Sequence, residues 1–405
     1  MHIVKLKRKK LMYSRSTFLL VLITVCLYAC STQKQATSAE KSKSPEFSWN
    51  KIPLYMHLRK STSFTKEEIQ FISKFPLITF EKSTGHKTYK STEQGILKAA
   101  KAVKKISPLA KILYYKNVIV NWGNYAEDET FLLKYPEALL VDHMGQKALM
   151  PNKKTGFFDI SKDYVRDYWL NHVNKVTESP VIDGVFLDAN IKVLVPGFFK
   201  NRVGEAKQEA IKAGYLSMMS DLNSQIGKDN MLIANMIRVR PEFEDSGREY
   251  LKFFDGSYIE GFEHESFGKT YEDYLAKGIQ AVQKSAREGK VIAMSLGIGK
   301  AVENKNIGMD DTREKINNND NLNKRLDYLL AIFLVCAEQY SYVYPHDGYD
   351  VNTSAVWLKT FPQYEKKLGA PKGYAKREGY IYTRSFEHLD VWLDIKNKTA
   401  TLNYK

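Results

Sequence analysis

From about residue 50 onward, short apolar runs alternate with stretches whose apolar residues recur at helical spacing. A short apolar run bounded by turn residues reads as a covered strand, and apolar residues at i, i+3 and i+4 read as one helix face. This pattern predicts strands at 52–58, 77–80, 112–120, 184–189, 231–236, 256–261, 291–296 and 340–344. It predicts helices at 65–75, 92–105, 163–176, 205–226, 271–287 and 322–339, the first with Thr65 as N-cap. Strands that alternate with amphipathic helices build a parallel sheet with helices outside it. Eight such units predict an α/β fold, a (β/α)8 TIM barrel over residues 48–350. Beyond 350 the helical spacing stops. Runs at 379–385, 389–395 and 399–404 predict a small C-terminal β appendage, 351–405, too short to fold alone.

One pattern occurs twice along the strands. Asp183-Gly184-Val185-Phe186-Leu187-Asp188 and Asp255-Gly256-Ser257-Tyr258-Ile259-Glu260 each run from a turn dipeptide through an apolar strand to a carboxylate. Side chains alternate faces along a strand, so Phe186 and Asp188 share a face, as do Tyr258 and Glu260. In a barrel both strand ends meet at the C-terminal rim, where chemistry is placed, while Asp183 and Asp255 fall at the opposite end and serve turns. Two carboxylates converging on one cleft are the minimum equipment for breaking a glycosidic bond. Asp188 and Glu260 are therefore the candidate catalytic pair, Asp188 as nucleophile or charge-stabilising carboxylate and Glu260 as general acid/base.

Other strand ends supply candidate substrate contacts: His57 and Arg59 after strand one, Glu81 after strand two, Lys116 in strand three, and Asn190 just past Asp188. Asn235 in strand five and Tyr344, His346 and Asp347 at strand eight complete the set. Sugars are held by polar groups and aromatic faces. That suits Tyr344 together with Trp122 and Tyr125, which open the long segment 121–158 between strand three and the next helix. His264 between Glu263 and Glu265 lacks the spacing of a zinc site. Ser295-Leu296-Gly297-Ile298-Gly299 lacks the third glycine of a dinucleotide motif and the Gly-Lys-Ser/Thr of a phosphate loop. No Gly-x-Ser-x-Gly elbow is present, which argues against a serine hydrolase of the α/β type. The reading requires no metal and no organic cofactor.

The N-terminus has a different organisation. A basic stretch, Lys5 to Arg15, precedes the apolar run 18–25, which is short for a bilayer span and ends in Leu27-Tyr28-Ala29-Cys30. A small residue directly before Cys at the end of such a run resembles a bacterial lipobox, although Tyr28 departs from its preferred small residue. Residues 1–29 then read as a lipoprotein signal peptide, Cys30 as the lipidated residue, and 30–47 as a flexible polar tether. A plain secretory signal or a short anchor are the other readings of the same segment. The remaining cysteines are Cys26, within the signal, and Cys336, in an apolar run, so neither a disulfide framework nor a cysteine metal site is available.

The chain carries 61 Lys+Arg against 46 Asp+Glu, a formal +15. Six of those bases lie in the signal segment, so the remainder carries about +9, a bias that suits an anionic polysaccharide or a membrane surface. No basic helix stripe with interleaved aromatics points to nucleic acid.

The stretch Phe158-Asp159-Ile160-Ser161-Lys162-Asp163-Tyr164-Val165-Arg166-Asp167-Tyr168, followed by Asp183-Gly184-Val185-Phe186-Leu187-Asp188, resembles bacterial glycoside hydrolase barrels. It looks most like the hypothetical glycosyl hydrolase family 15 group and more distantly like the α-galactosaminidase-type barrels of glycoside hydrolase family 114. The resemblance spans roughly residues 50–350 in order of elements. It implies a (β/α)8 barrel with acids at strands four and six, matching Asp188 and Glu260. The expectation is a lipid-anchored glycosidase of the bacterial cell envelope, extracytoplasmic, acting on a poly- or oligosaccharide. Its rivals are a carbohydrate-binding lipoprotein that kept the barrel and lost catalysis, and a structural envelope protein.

Overall fold

A computed structural model describes residues 42–152, 154–262, 269–299 and 319–405. The expected signal peptide, Cys30, most of the tether and His264 lie outside the described residues. Residues Lys43–Lys405 form one compact unit. Eight strands make one parallel sheet in sequence order: β1 Tyr55–Leu58, β2 Leu77–Phe80, β3 Lys111–Asn117, β4 Gly184–Asp188, β5 Met231–Asn235, β6 Gly256–Ile259, β7 Val291–Gly297 and β8 Ser341–His346. The sheet closes between β8 and β1, where the Val343 amide donates to the Pro53 carbonyl at 2.9 Å and Leu54 bridges Val343. The predicted eight-stranded parallel barrel is what the chain forms.

The doubled Asp-Gly pattern has a common structural origin. Asp183 Oδ2 accepts the Ile112 amide at 2.9 Å, and Asp255 Oδ2 accepts the Leu232 amide at 2.7 Å, so each aspartate clamps the strand before its own. A Cβ at Gly184 would stand 2.0 Å from the Met231 carbonyl oxygen, and one at Gly256 2.0 Å from that of Val291. Each glycine thus lets the next strand approach. Both dipeptides lie at the N-terminal end of the barrel.

Most crossovers are helical, with Lys66–Ile72, Thr92–Ile106, Asp163–Thr177, Glu205–Ile226, Tyr271–Arg287 and Asn319–Cys336 near their predicted places. Thr65 caps the first of these in a reciprocal capping box with Glu68. Between β5 and β6 a 3₁₀ segment, Arg248–Phe253, replaces the α-helix. Among the described residues no helix is long and apolar enough to cross a membrane.

Three boundaries differ from expectation. The third strand stops at Asn117, three residues short of its apolar run, because Asn117 Oδ1 accepts the amides of Ile119 and Val120 and turns the chain. The final residues of the expected tether, 43–47, are packed and not flexible. Lys43 pairs with Asp255 at 2.7 Å, the Tyr342 hydroxyl donates to the Pro45 and Glu46 carbonyls, and Phe47 lies edge-on to Tyr342. The appendage has four antiparallel strands, β9 Lys376–Glu378, β10 Ile381–Ser385, β11 Leu389–Asp394 and β12 Thr399–Tyr404. The added strand is Lys-Arg-Glu, wholly exposed, with no apolar signal to announce it. Arg384 of β10 fastens this sheet to the barrel. Its guanidinium donates to the Leu334 and Ala337 carbonyls at the end of helix Asn319–Cys336 and pairs with Glu338. A cation on the last carbonyls of a helix satisfies acceptors that have no partner within it.

Candidate active site

The inward face of the barrel follows one rule. On strand after strand, an inward aromatic or apolar residue is followed two positions later by a polar one: Tyr115 by Asn117, Phe186 by Asp188, Ile233 by Asn235, Tyr258 by Glu260, Ala293 by Ser295, Tyr344 by His346. The register matches, since Tyr115 pairs with Phe186 and Asn117 with Asp188. The lower layer is a ring of contacts around Phe186, which stacks on Tyr115 with centroids 5.5 Å apart and meets Tyr258 at 4.9 Å and His57 at 4.8 Å. Truncating such a buried Phe costs about 3–5 kcal/mol, so this layer is a rigid floor. The polar layer above it is the mouth.

The two candidate acids meet on a single side chain. Asn235 Nδ2 donates to Asp188 Oδ1 at 3.3 Å and to Glu260 Oε2 at 3.1 Å. Turned the other way, the amide oxygen would face two carboxylates, so the network sets its orientation. Both accepting oxygens therefore lie within hydrogen-bond reach of one nitrogen. Asp188 is further held by the Tyr115 hydroxyl on Oδ2 and by the Ala189 amide on Oδ1 at 2.7 Å. Ala189 takes a left-handed φ of 66° to place that amide, a conformation that costs a non-glycine residue about 1–2 kcal/mol. Glu260 Oε1 accepts from the Tyr349 hydroxyl at 3.1 Å, and Tyr349 in turn accepts from Tyr258 at 2.8 Å and lies 3.1 Å from Ser295 Oγ. Burial first, and then the neighbouring Asp188 or Glu260, pushes the phenols of Tyr115 and Tyr349 well above their ordinary value, so both remain donors.

Glu81 organises the adjoining wall. Arg59 Nη1 pairs with it at 3.0 Å, Lys82 pairs with its other oxygen, and His57 Nε2 stands 3.9 Å away. Burial alone would push this carboxyl up, but Lys82, His57 and Arg59 outweigh it and hold Glu81 well below the usual carboxylate range. The Lys82 ammonium also lies 4.9 Å over both the Tyr115 and Trp122 rings.

Several predicted contacts are placed elsewhere. Lys116 pairs with Leu187 in the register and points out of the barrel, buried against Asp128 at 2.7 Å, and is not a substrate ligand. Asn190 is fully buried; its amide donates to Leu187 and it accepts from Tyr215, which makes it a support for the turn after β4. Tyr125 is buried with its hydroxyl on the Tyr115 carbonyl. His57 belongs to the floor, its Nδ1 hydrogen-bonded to Tyr55. Tyr344 is enclosed and stacked on His346, which stacks in turn on Tyr349. Asp347 holds its own loop by accepting from Ser354 and Ala355. Arg59, Trp122 and Asn235 remain at the mouth with the two acids. Among the described residues no cluster of His, Cys, Asp or Glu could hold a metal ion.

Tyr115, Tyr349 and Lys82 escape the sequence reading. Alternation on β3 from Asn117 back to Tyr115 carries the signal for the first, since only odd positions share the face of Asp188. Tyr349 lies in the loop past β8, where no periodicity reaches.

Residues 104–390 match the family model described as hypothetical glycosyl hydrolase family 15. No curated protein matches the chain. Among solved structures, it is similar to the glycoside hydrolase domain of PelA from Pseudomonas aeruginosa, at 11% identity and TM-score 0.40, covering 60% of this chain and 83% of that one. It is also similar to the noncanonic maltogenic α-amylase AmyB from Thermotoga neapolitana, at 12% identity and TM-score 0.49, covering 86% of each chain. A third is a variant of the GH36 α-galactosidase AgaA from Geobacillus stearothermophilus, at 11% identity and TM-score 0.49, covering 86% of this chain and 48% of that longer one.

Proposed function

The chain belongs to hypothetical glycosyl hydrolase family 15, and from that premise we propose that it hydrolyses a poly- or oligosaccharide with the Asp188–Glu260 pair, outside the cytoplasm. Glycoside hydrolysis itself follows from the family. The observation that carries the rest is the Asn235 amide donating to both carboxylates, which brings two acids from different strands to one point of the barrel mouth.

Asp188, fixed by three donors, is the nucleophile, and Glu260 is the acid/base. Glu260 protonates the glycosidic oxygen as the bond to the leaving sugar breaks, and an Asp188 oxygen bonds to the anomeric carbon. Water then attacks that carbon, giving its proton to Glu260 and releasing Asp188. Two oxygens that share one amide nitrogen stand closer than the about 6.5–9.5 Å that inversion needs to seat a water, which supports retention. Incubating the protein with a polysaccharide panel should release reducing ends from at least one member, and NMR of the first product should show the substrate's anomeric configuration. Inverted product would reassign Asp188 as a base.

The location rests on the sequence before the barrel. A basic segment, a short apolar run and Ala29-Cys30 support a lipid anchor on Cys30, with the catalytic unit held at an envelope membrane.

A further inference from the structure

At the rim just past Asp188 stands a half-buried lysine. Lys192 lies four residues past Asp188 in the short helix Asn190–Leu194, whose Val193 and Leu194 are buried and whose Asn190 is locked to Leu187 and Tyr215. The Lys192 side chain is half-buried, and its ammonium sits 4.1 Å over the ring of Phe198. Among the described residues it takes part in no ion pair. Arg59 and Lys82 differ, since they share Glu81. Burial lowers the pKa of Lys192, while Asp188 raises it, Arg240 lowers it further and Glu260 raises it, in that order.

A partly desolvated ammonium is costly unless an anion offsets the loss of water. An aromatic face returns only a small part of that cost. Asp188 and Glu260 favour the charge without pairing with it, their oxygens being held by Asn235 and the two tyrosines, and burial outweighs them. The position therefore suits an anion that arrives with the ligand. The basic balance of the whole chain, 61 Lys+Arg against 46 Asp+Glu, favours the approach of such a polymer.

We propose that Lys192 is the anion-recognising residue of this cleft, and that the sugar bound beside Asp188 and Glu260 carries an acidic group, a uronate carboxylate or a sulfate ester. The proposal rests on the glycosidase reading and narrows its substrate class. A compact ammonium on a flexible stem matches either anion as a point charge.

The test measures calorimetric binding and reducing-end release by the purified full chain on three sets of oligosaccharides. The first set is uronic-acid oligomers, the second the same oligomers after carboxyl reduction, and the third sulfated neutral oligomers. At least one acidic set should bind about tenfold or more tighter than its neutral counterpart, with a preference that shrinks as salt rises. Whichever acidic set is preferred identifies the anion. Lys192→Met should abolish the preference with thermal stability unchanged, and Lys192→Arg should retain part of it. Equal treatment of acidic and neutral sets, binding of none, or a preference that survives in Lys192→Met would overturn the assignment. A preference in binding with no set cut would uphold Lys192 while removing the glycosidase reading.

Discussion

At the scale of single residues, the site is defined by hydrogen bonds that hold two carboxylates in different surroundings. Asp188 has two donors besides Asn235, one a backbone amide that cannot rotate away. Among the described residues Glu260 has a single further donor, the Tyr349 hydroxyl, which is itself aligned by Tyr258. Glu260 is thus the acid with more freedom, which suits a group that must give up and regain a proton at the leaving oxygen. Tyr349→Phe removes one hydrogen bond to a charged group, worth about 1.5–3 kcal/mol. We expect kcat to fall by roughly tenfold or more with KM little changed, because the phenol aligns Glu260 and does not touch the sugar. Steady-state kinetics on an active glycan checks this; a change confined to KM would mean that Tyr349 contacts substrate instead. Asp188 and Glu260 were legible in the sequence because the Asp-Gly strand motif repeats with its acid at the same offset. Tyr349 was not, because a residue in a loop is placed by where the chain returns, and here that depends on the Arg59 and Val351 backbone bonds that close the barrel seam.

At the scale of elements, the lesson is the parity of strands. Apolar runs located every barrel strand to within a few residues, since a strand covered on both faces is apolar throughout. That same evenness hides which face is which. Lys116 was expected at the cleft and lies behind it, because β3 is apolar on both sides of the lysine and only the register with Asp188 shows that Tyr115 and Asn117 point inward. The segment after β3 shows a similar division. Its helix Ala126–Lys134 and the ribbon of Val120–Asn121 with Gly156–Phe157 pack Ala138, Leu140, Phe157 and Phe158 into the core, while its first residues hold Trp122 at the mouth under Lys82. Trp122→Ala should therefore weaken glycan binding by roughly tenfold while lowering stability less than the ~3–5 kcal/mol of a buried aromatic truncation. Calorimetric titration alongside a melting curve separates the two. A collapse in stability with normal affinity of the folded fraction would make Trp122 a core residue.

For the molecule as a whole, the barrel and its appendage are one unit, joined by Arg384 on the end of helix Asn319–Cys336. The chain enters at the N-terminal end of the barrel, where residues 43–47 are pinned by Lys43 to Asp255 and by Tyr342. The mouth opens at the opposite strand ends. Cys30→Ser should shift the protein from the membrane to the soluble fraction, with activity per molecule unchanged. Fractionation followed by mass analysis of the N-terminal peptide checks this, and unchanged membrane retention with no lipid on Cys30 would contradict it. Multiple acyl chains hold a protein stably where one does not, so partial release of the unaltered chain would point to incomplete acylation of Cys30.

The central claim is that Asp188 and Glu260 are the pair that breaks the glycosidic bond. Its most direct test is turnover by Asp188→Asn and Glu260→Gln on a glycan that the unaltered chain cleaves, with melting curves to confirm the fold. Each change keeps the shape of the side chain and removes its ability to act as nucleophile or to carry the proton, so each should lower kcat by at least ~10²-fold. Near-normal turnover in either variant would contradict the account and take that residue out of the mechanism.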